Sequence, residues 1–226
     1  MSLNRLLADI AAGKYRAAIF DIDGTLIDSM PYWAGLDAQY LRTQDIFLSP
    51  GETAELNTAM WSLTVEEGVR YLKETFSLDA SEEEIAAGIN AIVAEDYREK
   101  IPLRPYVPEL LDVLDAAGVP LGLATVGNTE LETAALTRLG IYDRFRDLFN
   151  CSELGVTKRE PTIYTLAAKA LAGDDVDYSK VLVVEDVLHA LTTAKGAGFA
   201  TAAVEDAASA GQRDEIRAIA DYYIAN

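Results

Sequence analysis

Apolar positions along this chain recur with two different periods, and the change between them sets the outline of the fold. The opening LNRLLADIAAG carries apolar residues three and four apart and predicts a short amphipathic helix. YRAAIF follows as a compact apolar run that stops at DIDGT, and is read as a central parallel strand, although a buried helical turn gives the same signal. From 30 to 101 the helical period takes over in PYWAGLDAQYLRTQ, TAELNTAMW, SLTVEEGVRYLKETF and SEEEIAAGINAIVAEDYREK. Two of these helices have marked starts. Thr64 stands three residues before Glu67, and Ser81 three before Glu84, the spacing of a capping box.

Beyond PLRPYVPEL the two periods alternate. VPELLDVLDAAG predicts a helix ending at Gly118, and PLGLAT a short strand. TELETAALTRLG is a helix ending at Gly140, RDLFNCS a strand and EPTIYTLAAKALAG a helix. SKVLVVED is a strand dense in β-branched residues, LHALTTAKGAG a helix and GFATAAV the last strand. Helices that alternate with apolar strands imply crossover connections onto a parallel sheet. The predicted fold is therefore an α/β, Rossmann-like three-layer core with a parallel sheet and an inserted all-helical cap. The core takes 1–29 and 102–226, and the cap takes 30–101.

Composition narrows the function classes. At 226 residues, with 50% hydrophobic residues, 7 Pro and 15 Gly, the chain has the make-up of a globular protein. Its 37 acidic against 19 basic side chains give a formal net charge of -18, without a Lys/Arg block. That field opposes nucleic acid and anionic membranes, so neither is expected as a partner. The single cysteine, Cys151, cannot close an internal disulfide, and the opening residues lack a secretory pattern. No run of about eighteen apolar residues is present to span a bilayer. A cytoplasmic setting is expected, with no obligate protein partner.

The candidate chemistry lies at strand ends. AAIF runs into Asp21 and Asp23, GLAT ends at Thr125 with Asn128 nearby, and VLVV ends at Glu185 and Asp186. In a parallel sheet these carboxyl ends share one edge, where active sites collect. Asp21 and Asp23 are two residues apart and face one side if the extended path continues. Crowded carboxylates call for a shared proton or a cation. With one Cys and one His in the chain, hard oxygen donors point to Mg²⁺ rather than zinc. Gly24 permits a sharp turn and leaves room for an oxyanion near amide groups. Lys158 in GVTKREP is the leading source of positive charge for a phosphate, with Arg159 beside it. Taken singly, each group has an ordinary reading. DIDG is a turn, Glu185 and Asp186 are helix-start acids, Thr125 or Asn128 is a loop cap and Lys158 is a surface charge.

Together these residues resemble the haloacid dehalogenase-like superfamily of hydrolases, in particular its phosphatases and phosphomutases with a helical cap after the first strand. The DxDGT motif matches Asp21-Ile22-Asp23-Gly24-Thr25. The Thr or Ser after an apolar strand matches Thr125, and the lysine with a proline three positions on matches Lys158 and Pro161. The acidic pair after an apolar strand matches Glu185 and Asp186, so the motifs span essentially the whole chain in order.

The resemblance implies that Asp21 attacks phosphorus, and that Asp23 protonates the leaving oxygen and then activates water. It implies Mg²⁺ held by Asp21, the main-chain carbonyl of Asp23 and Asp186, with Glu185 bound directly or through water. Thr125 and Lys158 hold phosphate oxygens, helped by Gly24 and by an amide or side chain at Asn128, and Lys158 also restrains Asp21. The cap closes over a small phosphorylated metabolite and excludes bulk water.

Two departures stand out: VGN follows Thr125, and VLHA follows the acidic pair. His189 is read as structural or solvent-facing, Tyr32 and Trp33 as residues lining the cap entrance, and Trp61 and Tyr71 as packing between cap helices, with ordinary hydrophobic burial an equal reading for all four aromatics. Cys151 is read as a strand-end or semi-buried residue. The presence of Asp23 argues against a dehalogenase. Scattered basic residues in the cap (Arg42, Arg70, Lys73, Arg98, Lys100) favour a phosphatase over a sugar-phosphate mutase, and a noncatalytic phosphometabolite-binding protein is the third reading.

Overall fold

The computed structural model describes residues 2–60 and 63–225. The chain begins with α1 (Leu3–Ala11) and β1 (Ala17–Phe20), and then forms five helices: α2 (Met30–Trp33), α3 (Leu36–Thr43), α4 (Pro50–Met60), α5 (Val65–Phe76) and α6 (Glu82–Glu99). α7 (Val107–Ala116), β2 (Leu121–Thr125), α8 (Thr129–Arg138) and β3 (Asp147–Asn150) follow. After them come α9 (Cys151–Leu154), α10 (Thr162–Ala172), β4 (Val181–Glu185), α11 (Leu188–Gly196), β5 (Ala200–Val204), α12 (Arg213–Ile219) and β6 (Tyr222–Ile224). Two compact units result, Met1–Met30 with Pro102–Asn226, and Pro31–Ile101.

The first unit is the α/β core. All five strand pairings are parallel, in the order β3-β2-β1-β4-β5-β6. β1 is central, with Phe20 level with Leu123 on one side and Val184 on the other. Its four residues are all buried, as are those of β2 and β4, which is why these strands read as continuous apolar runs. On one face Ala17, Ile19, Val181 and Val183 pack with Ile163, Tyr164 and Ala167 of α10 and Ala190 and Ala194 of α11. The opposite-facing Ala18, Phe20, Leu182 and Val184 are buried too, and α1 packs against α7 through a layer that includes Leu6, Ile10, Leu110 and Leu114. Sheet and helices thus form three layers.

Two sequence expectations change. GFATAAV does not hold the last strand, because β6 adds an edge beyond β5. That strand is three residues long, too short for a period to show, and the Tyr222 hydroxyl fixes it by accepting from Tyr15 and Lys14 at 2.7 Å each. Cys151 begins a helical turn instead of ending a strand. The Asn150 side chain causes the switch by accepting from the amides of Ser152 (2.8 Å) and Glu153 (3.3 Å).

The second unit is all helical. α6 packs against α3 and α5, and Tyr40, Leu41, Val69, Leu72, Ile85, Ile89, Val93 and Tyr97 are buried. Both capping boxes form, at Thr64 with Glu67 and at Ser81 with Glu84. Gly88 lies under the Tyr40 ring, and a Cβ there would overlap it. Trp33 donates from Nε1 to the Tyr97 hydroxyl at 2.8 Å and meets its ring edge-on. Tyr32 and Tyr71 are half-buried, and Trp61 lies outside the described residues.

Candidate active site

The site begins where β1 stops. The Asp21 amide still donates to the Val184 carbonyl (3.0 Å), so its carboxylate leaves the sheet at a fixed level between β2 and β4. The chain then turns away from the extended path. The Ile22 carbonyl collects the amides of Leu26 (2.8 Å), Ile27 (3.1 Å) and Thr25 (3.2 Å), and Gly24 takes φ +81°. A Cβ at Gly24 would stand 2.5 Å from Asp186 Oδ2, so glycine is required here both for the turn and for close approach. Tyr106 and Arg104 brace the turn from behind. Tyr106 donates to the Thr25 carbonyl at 2.5 Å, and Arg104 donates to the Gly24 carbonyl at 3.1 Å. Arg104 is itself buried, paired with Asp206 and with Asp28.

Asp21, Glu185 and Asp186 converge, each offering an oxygen so that all three lie within 4.8 Å of one another, and all are buried. Lys158 reaches this cluster from the loop before α10, pairing with Asp21 and with Glu185 at 2.6 Å. It is buried, so the surface-charge reading does not apply. Tyr164 on α10 donates to the same Glu185 oxygen at 2.9 Å. Arg159 is exposed, and so is His189 in the first turn of α11.

The electrostatics follow from three acids against one base. Burial opposes the Lys158 charge, but Asp21 and Glu185 outweigh it and hold the ammonium proton more tightly than usual. Burial, aided by Asp21 and opposed by Lys158, pushes Glu185 up to about 7. Burial, then Asp21 and Glu185, push Asp186 well above the ordinary carboxylate range. Partial desolvation by neighbouring atoms, then Arg159 and Lys158, lower His189. Among the described residues Glu185 Oε2 is buried without a hydrogen-bond partner. Excess negative charge, an oxygen-only donor set and an orphaned buried oxygen fit a hard divalent cation.

The Asp23 carboxylate also meets a second group of residues at the end of β2. It meets the carboxyl of Glu132, a fully buried residue on α8. Burial, then Asp23, raise the pKa of Glu132 well above its usual value. The Thr125 hydroxyl donates to Glu132 Oε1 at 2.5 Å and accepts from the Gly127 amide at 2.9 Å. Asn128 is the N-cap of α8, its side-chain oxygen accepting from the Leu131 amide at 3.1 Å. Asn150 supports the loop by donating to the Gly127 carbonyl at 2.8 Å.

Glu132, Tyr164, Asn150 and Arg104 were not singled out from sequence. Glu132 did carry a signal. It stands three and four residues before Ala135 and Leu136, which places an acid on the buried stripe of its helix.

Comparison with known proteins agrees with this geometry. The chain is 30% identical over 193 residues to pyrophosphatase PpaX of Bacillus velezensis, with 84% of this chain and 83% of that protein covered. It is 29% identical over 198 residues to the N-acetylmuramic acid 6-phosphate phosphatase of Pseudomonas aeruginosa, covering 84% and 82%. The crystal structure of CbbY from Rhodobacter sphaeroides in complex with phosphate shares the fold, with a TM-score of 0.75, 22% identity, and coverage of 94% of this chain and 93% of that one. The family of haloacid dehalogenase-like hydrolases matches residues 15–198, and the chain belongs to it.

Proposed function

We propose that the protein is a Mg²⁺-dependent phosphatase that hydrolyses a small phosphomonoester through an aspartyl-phosphate on Asp21. The observation that carries this reading is the buried convergence of Asp21, Glu185 and Asp186 around Lys158 at the carboxyl ends of adjacent strands. Asp21, Glu185 and Asp186 would hold the ion together with the main-chain carbonyl of Asp23, and the bound ion supplies positive charge to the phosphoryl oxygens.

The chain's own residues account for the rest. An Asp21 oxygen bonds to phosphorus as the ester P–O bond breaks, and Asp23 gives its proton to the departing oxygen. Asp23 then takes a proton from water as the water oxygen bonds to phosphorus and the Asp21–P bond breaks, releasing inorganic phosphate. Lys158 orients Asp21 and neutralises charge on the transferring group. Thr125, the amides around Gly24 and the Asn128 turn face the remaining phosphate oxygens. In this reading 1–29 with 102–226 form the catalytic unit and 30–101 a separately folded cap.

Phosphorylated metabolites suit the substrate class, since relatives at about this distance include an N-acetylmuramic acid 6-phosphate phosphatase. The test is phosphate release from a panel of sugar phosphates, nucleoside monophosphates and phosphoglycolate with Mg²⁺. Activity is expected with Mg²⁺, lost on chelation and lost in both Asp21→Asn and Asp23→Asn. No turnover on any member would reject the reading. Conversion of β-glucose 1-phosphate to glucose 6-phosphate without phosphate release would select a mutase instead.

A further inference from the structure

We propose that Glu132 is a positioning residue that competes with the phosphoryl group for the Thr125 hydroxyl and so weakens the enzyme's hold on product phosphate. The inference rests on the phosphatase reading and assigns a role to a residue that reading does not use.

A threonine hydroxyl has one proton to donate. At Thr125 that proton is committed to Glu132 Oε1 at 2.5 Å, while the Gly127 amide donates to the same oxygen at 2.9 Å. Thr125 and Glu132 are both buried, so water does not replace either partner. The loop is shaped around this contact. A Cβ at Gly127 would overlap the Glu132 carboxylate and lie 3.0 Å from Asp23 Oδ2. Asn150 holds Gly127 from the other side at 2.8 Å. A dianionic phosphate can only accept hydrogen bonds, so it gains the Thr125 donor only when that hydroxyl leaves Glu132. Binding therefore exchanges one hydrogen bond for another, and the net gain is smaller than a free hydroxyl would give. The Glu132 carboxyl also meets that of Asp23. The acceptor that restrains Thr125 thus sits beside the proposed acid and base.

The test measures the affinity of inorganic phosphate with saturating Mg²⁺, and KM and kcat on the best substrate of the panel. Glu132→Leu removes the acceptor at similar volume. The dissociation constant of phosphate is expected to fall about five- to tenfold and KM to fall with it, with no gain in kcat. A merely structural role would weaken phosphate binding or leave it unchanged. In a Thr125→Val background the same substitution is expected to change nothing, because the hydroxyl being contested is gone. Unchanged or weaker phosphate binding in folded Glu132→Leu, or an effect that persists with Thr125→Val, overturns the proposal.

A crystal structure of the unaltered protein with Mg²⁺ and phosphate decides the case where the leucine variant does not fold. Thr125 is expected on a phosphate oxygen and away from Glu132, and retention of the Glu132 contact overturns the proposal. Failure of the two readings is separable. Turnover with phosphate affinity insensitive to Glu132 sinks this inference alone. Tighter phosphate in Glu132→Leu, without turnover of any phosphomonoester by the unaltered protein, sinks the phosphatase reading alone.

Discussion

Lys158 is the residue on which the charge balance of the cluster turns. Removing it leaves Asp21 and Glu185 buried beside Asp186 without a cation. Breaking a buried pair from one side costs about 3–5 kcal/mol. Lys158→Ala is expected to lower the unfolding midpoint by roughly ten degrees and kcat by more than about a hundredfold, read by thermal denaturation and phosphate release. Near-normal kcat would show that Lys158 only holds the fold. Gly24→Ala tests the opposite side of the site. Its Cβ would press on Asp186 Oδ2, and φ +81° costs an L-residue about 1–2 kcal/mol. The Mg²⁺ concentration for half-maximal rate is expected to rise about tenfold or more, and an unchanged value would place the ion away from Asp186.

Asp21, Thr125, Lys158 and the acidic pair were legible from sequence because each follows a strand or a turn where a polar residue is out of place. The paths of their side chains were not. Strand alternation could not show that the Ile22 carbonyl gathers three amides, nor that Asp23 meets the buried Glu132.

At the scale of elements the same division holds between local and tertiary signals. β1, β2 and β4 announced themselves because burial on both faces demands unbroken apolar runs, and the capping boxes because their bonds lie within four residues. β6 was silent because it is an edge strand of three residues held by contacts from the other end of the chain. Gly88 is the clearest tertiary case. Inside a helix, glycine to alanine normally stabilises by about 0.5–1 kcal/mol. Here the added methyl would overlap the Tyr40 ring where α3 crosses α6, so Gly88→Ala is expected to destabilise by about 1–3 kcal/mol. Denaturant unfolding gives the sign directly, and a stabilised variant would mean that Tyr40 moves aside freely.

For the whole molecule, the acid excess makes stability depend on pH and on Mg²⁺ together. The formal charge of -18 is spread over a surface that water and salt screen, whereas the three acids of the cluster are buried and are not screened. Glu185 is held up to about 7 against an ordinary 4.5, and Asp186 is displaced in the same direction. An acid whose pKa is raised by folding keeps its proton in the native state after the unfolded chain has lost it. That contribution is therefore complete below about pH 4.5 and is lost as pH rises toward about 7. The metal-free protein is expected to lose on the order of 2–3 kcal/mol across this window, several degrees in midpoint, although most surface carboxylates are already ionised. A divalent cation needs the ionised carboxylates, so its stabilisation grows over the same interval. Millimolar Mg²⁺ should then flatten or reverse the pH slope, and Glu185→Gln should reduce the slope without metal. Thermal scans from about pH 5 to about 8, with chelator and with Mg²⁺, measure both effects. A metal-free midpoint that stays level or climbs over that range would mean that the cluster does not carry its charge conflict into the native state, and the case for a cation between Asp21 and Asp186 would fall with it.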